Sequence, residues 1–203
     1  MVNTGDGPRS FGESATINHH RGQDYAVRLA YADPPYIGRA YYYDHPDTRT
    51  WNNPAEHAAL MARLAIDYDG WALSCHAPAL RILWPVAPAR ARAAVWVKPW
   101  RAGRKNVRVA YTWEAVIYVP ARDRTSEGAQ PTRDHLNEPT TIGTGVVGAK
   151  PESFCRWVLD LMGYVDGDEV TDLFPGSGVM DRVVAQRSLV LTSDDDADEQ
   201  LAL

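Results

Sequence analysis

The hydrophobic pattern of the chain starts late. The first 24 residues are rich in Gly, Ser, Asn and Asp and carry no apolar period, so they read as a peripheral arm, with the ordered domain beginning near Tyr25. The apolar run AVRLAYA then predicts a strand that stops at Asp33-Pro34-Pro35, because consecutive prolines cannot continue a β-ladder. A loop at the strand's C-terminal end follows from that break. Asn53-Pro54 opens a helix: Asn53 can cap, Pro54 suits the first turn, and Ala58, Leu60, Met61, Leu64 and Ala65 supply an apolar face. GWALSCHA (70–77) reads as a buried strand. After a proline-rich connection, AAVWVKP and YTWEAVIYVP are β-branched and aromatic runs separated by the basic WRAGRKNVR segment, which predicts neighbouring strands joined by an exposed loop. Residues 121–145 are polar and turn-rich. PESFCRWVLDLMG (151–163) predicts a helix with Phe154, Trp157, Val158 and Leu161 on one face, and EVTDLF (169–174) a strand running into Pro175-Gly176-Ser177-Gly178. A short helix and the strand SLVLTSD (188–194) complete a single domain over 25–193. This alternation, without an internal repeat, predicts an α/β fold: a mostly parallel sheet with helices on both faces.

With 203 residues, 45% hydrophobic and 23% charged, the chain can build one full-sized core, and extended disorder, collagen and coiled coil are excluded. The net charge of −5 argues at first sight against a polyanionic partner. Its distribution changes the picture. Five acids lie in the DDDADE run at 194–199, within an acidic tail (194–203), and without them 21 acids face 21 bases. Arg81, Arg90, Arg92, Lys98, Arg101, Arg104, Lys105 and Arg108 form a basic stretch with no acid among them. No run approaches the roughly 20 apolar residues of a membrane span, and the N-terminus lacks the basic and apolar regions of a secretory signal. No membrane partner and a cytoplasmic location are therefore expected. Cys75 and Cys155 show no CxxC or Cys/His spacing, and the adjacent His19 and His20 are poorly spaced to chelate, so neither a disulfide framework nor a metal site is indicated.

Three signals carry candidate chemistry. The first is Asp33-Pro34-Pro35-Tyr36. Most Asp-Pro pairs are simple turns, but these four residues can act together on a nucleobase amino group, whose lone pair is delocalised into the ring. The Asp33 carboxylate and a rigidly held Pro34 carbonyl can accept its two N–H bonds, favouring a pyramidal nitrogen. Tyr36 offers a flat face for a base flipped out of its helix. The second is Asp172-Leu173-Phe174-Pro175-Gly176-Ser177-Gly178, where glycines at a strand-to-helix turn let backbone approach a ligand closely. The absence of GxGxxG and GK[ST] spacings argues against a dinucleotide site and an NTPase loop. The third is the basic stretch with Trp84, Trp96 and Trp100 interleaved, either a solvated loop with core tryptophans or a set of phosphate contacts.

Together, the first two signals resemble the motifs of the S-adenosylmethionine-dependent amino-methyltransferases of nucleic acid, the adenine-N6 and cytosine-N4 family. DPPY is similar to that family's catalytic motif and DLFPGSG to its cofactor motif. GAKPESF (148–154) resembles the KP motif heading the helix before the cofactor strand. Catalytic motif first and cofactor motif last is the permuted β-group order, and the resemblance spans about residues 25 to 194. It implies a Rossmann-like methyltransferase fold and, as activity, transfer to the N6 amino group of adenine in DNA. Asp33 and Pro34 would bind the target amino group, Pro35 would stiffen the loop, and Tyr36 would stack on the base. Asp33, Asp172, Phe174, Gly176, Ser177 and Gly178 would line the S-adenosylmethionine pocket, with Lys150 and Pro151 at its methionine end and Asp194 on the ribose, where Asp195 or Asp196 could equally serve. Trp113 or Tyr111 is either a second wall of the base pocket or core. Arg92, Lys98, Arg101, Arg104, Lys105 and Arg108 would meet nucleic acid. Transfer from a sulfonium is direct displacement, so no metal is needed and the protein's task is alignment, worth ~7 to 11 kcal/mol.

Two departures from the family stand out. Only about 25 polar residues, 121–145, are available where its DNA enzymes carry a sizeable recognition region, so sequence specificity is expected to be short or loose. The third cofactor-side strand has no evident counterpart after SLVLTSD; the N-terminal arm or a second subunit in a homodimer could replace it. RNA adenine and DNA cytosine-N4 are the substrate variants left open, because DPPY rather than SPPY favours adenine without deciding it. A catalytically inactive derivative that binds nucleic acid or a partner is the alternative of a different class.

Overall fold

The structure is a computed structural model that describes residues 26–42, 46–99, 106, 108–123, 130–140 and 149–188. Six strands, β1 (Arg28–Ala32), β2 (Gly70–His76), β3 (Arg92–Val97), β4 (Trp113–Val119), β5 (His135–Asn137) and β6 (Glu169–Asp172), lie in one sheet in the order β5-β3-β4-β2-β1-β6. β1 pairs in parallel with both β2 and β6, β3 pairs in parallel with β5, and β4 is antiparallel to both β2 and β3. Five strands therefore run one way and β4 alone opposes them. The sheet is mostly parallel, as the alternation of elements predicts.

Parallel neighbours need a crossover, and a crossover helix covers a face. Leu29 and Tyr31 of β1 point into a core closed by α3 (Glu152–Met162) and by a further helix, α4, over residues 179–188. Ala30 and Ala32 point the opposite way, into a core closed by α1 (Pro54–Asp67) and the short α2 (Leu80–Leu83). Both faces of β1 and β2 are buried, so these strands read as continuous apolar runs. Tyr31 and Ser74, the hydroxyls inside this region, hydrogen-bond each other at 2.9 Å. Cys155 lies in the first core and Cys75 in the second, both free and buried.

Local signals place most elements. β1 ends at Ala32, immediately before Asp33-Pro34-Pro35. The Asn53 side chain caps α1 by accepting from the Ala55 N–H at 3.1 Å, with Pro54 in the first turn. The buried face of α1 is His57, Leu60, Met61 and Leu64; Ala65, expected on it, is exposed. On α3, Phe154, Trp157, Val158 and Leu161 are all buried. The α3 C-cap is Gly163 at φ 76°, with the Gly163 N–H donating to Asp160 and the Tyr164 N–H to Leu159.

Other expectations change in detail. β6 stops at Asp172, two residues short of Phe174, because the Asp172 carboxylate accepts from the Phe174 N–H at 3.0 Å and turns the chain. The segment read as polar and turn-rich at 121–145 contains β5, a three-residue edge strand whose sequence, His-Leu-Asn, carries no strand pattern. The proline-rich connection after β2 holds two 3₁₀ turns and α2. The arm at 1–24, the strand SLVLTSD beyond Ser188 and the tail at 194–203 lie outside the described residues.

Candidate active site

β1 is the strand where the chain's winding reverses. Its crossover through α1 leads to β2 on one side, while β6, reached much later, joins on the other. Such a reversal opens a crevice at the C-terminal ends of the parallel strands. The pairing of Tyr31 with Asp172 sets β1 and β6 so that their C-terminal loops leave together, Asp33-Pro34-Pro35-Tyr36 from one and Leu173-Phe174-Pro175-Gly176-Ser177-Gly178 from the other. The Leu173 N–H donates to the Tyr31 carbonyl at 2.9 Å and extends the tie to the first loop residue. Motifs far apart in sequence share one end of the sheet.

The first loop is anchored. Pro34 and Pro35 are buried, and the Tyr36 carbonyl accepts from the Arg39 N–H at 2.8 Å, closing a turn with Gly38 at φ 73°. Behind it lies a cluster of two acids, two lysines and a tyrosine. Lys150 Nζ donates to Asp33 Oδ1 at 3.0 Å and lies 2.9 Å from Oδ2, 2.9 Å from the Tyr36 hydroxyl and 3.3 Å from Glu114 Oε2. The Tyr36 hydroxyl donates within reach of Asp33 Oδ1 (3.0 Å) and Glu114 Oε2 (2.9 Å). Lys98 pairs with the other Glu114 oxygen. Side-chain exposure is 7% for each lysine, 16% for Glu114 and 20% for Asp33, so the four charges compensate one another largely out of water. Trp96 and Phe154 rings flank Lys150, each 5.7 Å from Nζ.

This arrangement sets the proton affinities. Burial pushes the Asp33 carboxyl up from its ordinary value and Glu114 adds to it, with Lys150 working the other way. Burial alone would also raise Glu114, but Lys150 and Lys98 outweigh it and hold that carboxyl at about 2. Lys150 is raised, because Asp33 and Glu114 overcome the burial that would discharge it. Burial pushes the Tyr36 hydroxyl well above its usual range.

Glu114 and Lys98 are the members of this cluster that sequence reasoning missed or assigned differently. Lys98, expected among phosphate-facing cations, is buried against Glu114 instead. The signal for Glu114 was present: it is the single acid in YTWEAVIYV, an otherwise apolar strand, and a lone carboxylate there needs a cation. Its register partner on β2 is His76, whose ring lies 6.1 Å from that of Tyr36 at an interplanar angle of 12°. Tyr111 meets His76 edge-on at 6.3 Å and is exposed at the rim, whereas Trp113 packs into the α1-side core.

On the second loop, Gly176 (φ 42°) and Gly178 (φ 64°) adopt left-handed conformations that favour glycine. Phe174 is held edge-on by Trp51 at 5.1 Å. Burial raises the Asp172 carboxyl to about 6, against the Phe174 N–H and with Asp181 and Asp33 adding to the rise. Pro151 caps α3, its carbonyl accepting from the Phe154 and Cys155 N–H groups. Of the expected nucleic-acid contacts, Arg108 is exposed, while Arg92 sits at the opposite end of the sheet, paired with Asp123 at 2.9 Å. Trp84 is exposed and Trp96 is core, donating to the Glu138 carbonyl at 2.8 Å. Arg101, Arg104, Lys105, Trp100 and Asp194 lie outside the described residues.

No protein-family model matches the chain, and no curated protein sequence matches it. Among solved structures it is similar to the complex of M1.HpyAVI with SAM, S-adenosylmethionine, at 16% identity and a TM-score of 0.51 over 79% of this chain and 78% of that one. The fold is shared. A Thermus thermophilus protein, provisionally named a DNA modification methylase, overlaps 80% of this chain and 78% of its own at 16% identity, with a TM-score of 0.48. Among the described residues no group of His, Cys, Asp and Glu could hold a metal ion, and no helix is long and apolar enough to cross a membrane.

Proposed function

We propose that the protein transfers a methyl group from S-adenosylmethionine to the exocyclic N6 amino group of adenine in DNA, on a base flipped out of its helix. One observation carries this: DPPY and DLFPGSG, far apart in sequence, leave the sheet side by side at its point of reversal. The fold shared with M1.HpyAVI, which was solved with SAM, supports the choice of cofactor.

The residues present fit that cofactor. Gly176 and Gly178 allow backbone approach, and Asp172 is a partly buried carboxylate whose affinity for protons is raised by burial and by its acidic neighbours. Phe174, Ser177, Lys150, Pro151 and, from outside the described residues, Asp194 would complete its walls. When bound, S-adenosylmethionine supplies a methyl group on a positively charged sulfur. Asp33 and the Pro34 carbonyl accept the two N–H bonds of the target amine and stabilise the positive charge that develops there. Tyr36, with the near-parallel His76 ring beside it, gives the base a flat edge. Loop and base are held in line by the buried prolines and by Lys150, which fixes the Asp33 carboxylate. Arg108, Arg101, Arg104 and Lys105 belong to the same end of the chain's basic stretch and are assigned to the phosphates.

A second reading has one observation in its favour. Lys150 already occupies both Asp33 oxygens, which suits a nucleic-acid-binding derivative without transferase activity. One experiment separates the two: DNA and RNA are incubated with isotopically labelled S-adenosylmethionine, and the nucleosides are analysed by mass spectrometry. N6-methyladenine in DNA is the expected product, and Asp33→Ala is expected to abolish it while calorimetry still registers cofactor binding. N4-methylcytosine, or product in RNA alone, would replace the substrate; an active Asp33→Ala protein would remove the assignment of Asp33. No heat at millimolar cofactor would favour the second reading.

A further inference from the structure

Directly after the DPPY turn the chain forms a 3₁₀ turn, Ala40–Tyr42, that presents two aromatic rings to solvent. Tyr41 is 67% and Tyr42 46% exposed, with their centroids 4.3 Å apart at an angle of 35°. Arg39 lies over the Tyr42 ring at 5.9 Å and reaches its hydroxyl at 3.4 Å. Burial lowers the proton affinity of the His76 ring, and the Arg39 charge lowers it further. Tyr111, also exposed, follows His76. Tyr41, Tyr42 and Arg39 thus form an aromatic and guanidinium band that follows directly on the DPPY turn.

The band is built rather than loosely hung. Ala40 is fully buried beneath it, the Arg39 N–H is tied to the Tyr36 carbonyl, the Gly38 N–H donates to Asn52 Oδ1 at 2.9 Å, and the Thr48 hydroxyl donates to the Ala40 carbonyl at 3.4 Å. Its position is fixed relative to Tyr36 by the short run of chain between them. The five residue steps from Tyr36 to Tyr41 span at most about 18 Å, so a strand laid on Tyr41 and Tyr42 passes close to a base held at Tyr36.

We propose that Tyr41 and Tyr42, with Arg39, form a stacking platform for unpaired nucleotides flanking the flipped-out target base, so that the platform itself binds single-stranded DNA in preference to closed duplex. This rests on the nucleic-acid substrate proposed above. The occupant follows from chemistry and place. Exposed rings beside a base pocket offer π-faces that any base can use, an arginine over a ring adds cation–π attraction, and both need base faces that a duplex keeps stacked. The short stretch at 121–145 leaves little room for a module that reads duplex grooves, in keeping with a grip on strand rather than sequence.

The test is anisotropy of a labelled oligothymidylate of about twelve nucleotides with the full chain, a length within the range that single-strand sites cover. It contains no adenine, so its binding reports the platform and is indifferent to methyl transfer. Tyr41→Ala and Tyr42→Ala should each weaken binding about fivefold or more, and Tyr41→Phe and Tyr42→Phe should stay within about twofold, because the ring and not the hydroxyl does the stacking. Should an alanine variant melt early, leucine at the same position keeps bulk without a stackable ring and must show the same loss. Unchanged binding in the alanine variants, equal loss in the phenylalanine variants, or tighter binding of a thymidine–adenosine duplex than of the single strand would each overturn the platform.

Discussion

Asp33, Glu114, Lys98 and Lys150 hold one another's charge in a space largely closed to water, and each member sets the proton affinity of the next. For the proposed reaction Asp33 must be ionised to accept N–H bonds, so activity should rise with pH through a limb that lies above the ordinary carboxylate range, in line with its upward shift. Two substitutions move that limb in opposite directions. Lys150→Met removes the cation that draws Asp33 down, and the limb should shift to higher pH. Glu114→Gln removes a negative charge that pushes Asp33 up, and the limb should shift lower, even though the loss of one partner from a buried ion cluster also destabilises the fold by about 3 kcal/mol. A pH–rate profile for both variants checks this; shifts of the same sign would show that Asp33 is not the titrating group. For stability the sign also follows. Glu114 is held at about 2, so its contribution is present above the ordinary carboxylate value and fades as pH falls toward 2.

Among the elements, α3 carries most of the burden of joining site to core. It begins with Lys150-Pro151 at the catalytic end and finishes at Gly163 against the segment that follows β4. A Cβ at Gly163 would lie 3.2 Å from both the Arg122 Cβ and the Arg122 carbonyl, in a left-handed conformation. Gly163→Ala should therefore cost about 1 to 2 kcal/mol, read as a lower melting temperature with the catalytic end unaltered. Elements with a strong local cause were legible in sequence: the Asn53 cap, the Asp33-Pro34-Pro35 stop, and the one-sided apolar face of α3. Those without one were not. His57 fills the α1 core, where residue type points to Ala65, because its Nε2 finds the Trp51 carbonyl at 2.8 Å, a partner invisible without the fold. β5 escapes because a three-residue edge strand takes its stability from β3 and not from its own composition. The two motif loops were legible as chemistry, and the register that places them together was not. Glu114 was readable as an anomaly, while its cations, 16 and 36 residues away, were set by the pairing of β3 with β4 and by the entry into α3.

At the scale of the whole molecule, the sheet separates two ends. One gathers the loops, the charge cluster and the aromatic rim. The other, where Arg92 and Tyr118 meet the turn after α3, carries an open cleft of about 500 Å³ and is braced by Asp168, which pairs with Arg122 through both oxygens and accepts the Val27 and Val165 N–H groups. The chain is thus clasped on the side away from the site, leaving the rim to contact a ligand without carrying the load of the fold. The two cysteines lie one in each core, and burial pushes both thiols up to about 12. Since the thiolate is the reactive form, a maleimide dye should leave the native protein unmodified and label both sites only after denaturation. The molecule is in effect a blank background for optical labelling: a single cysteine placed on the surface would be the only handle, and a fluorophore there could follow strand capture and release in real time.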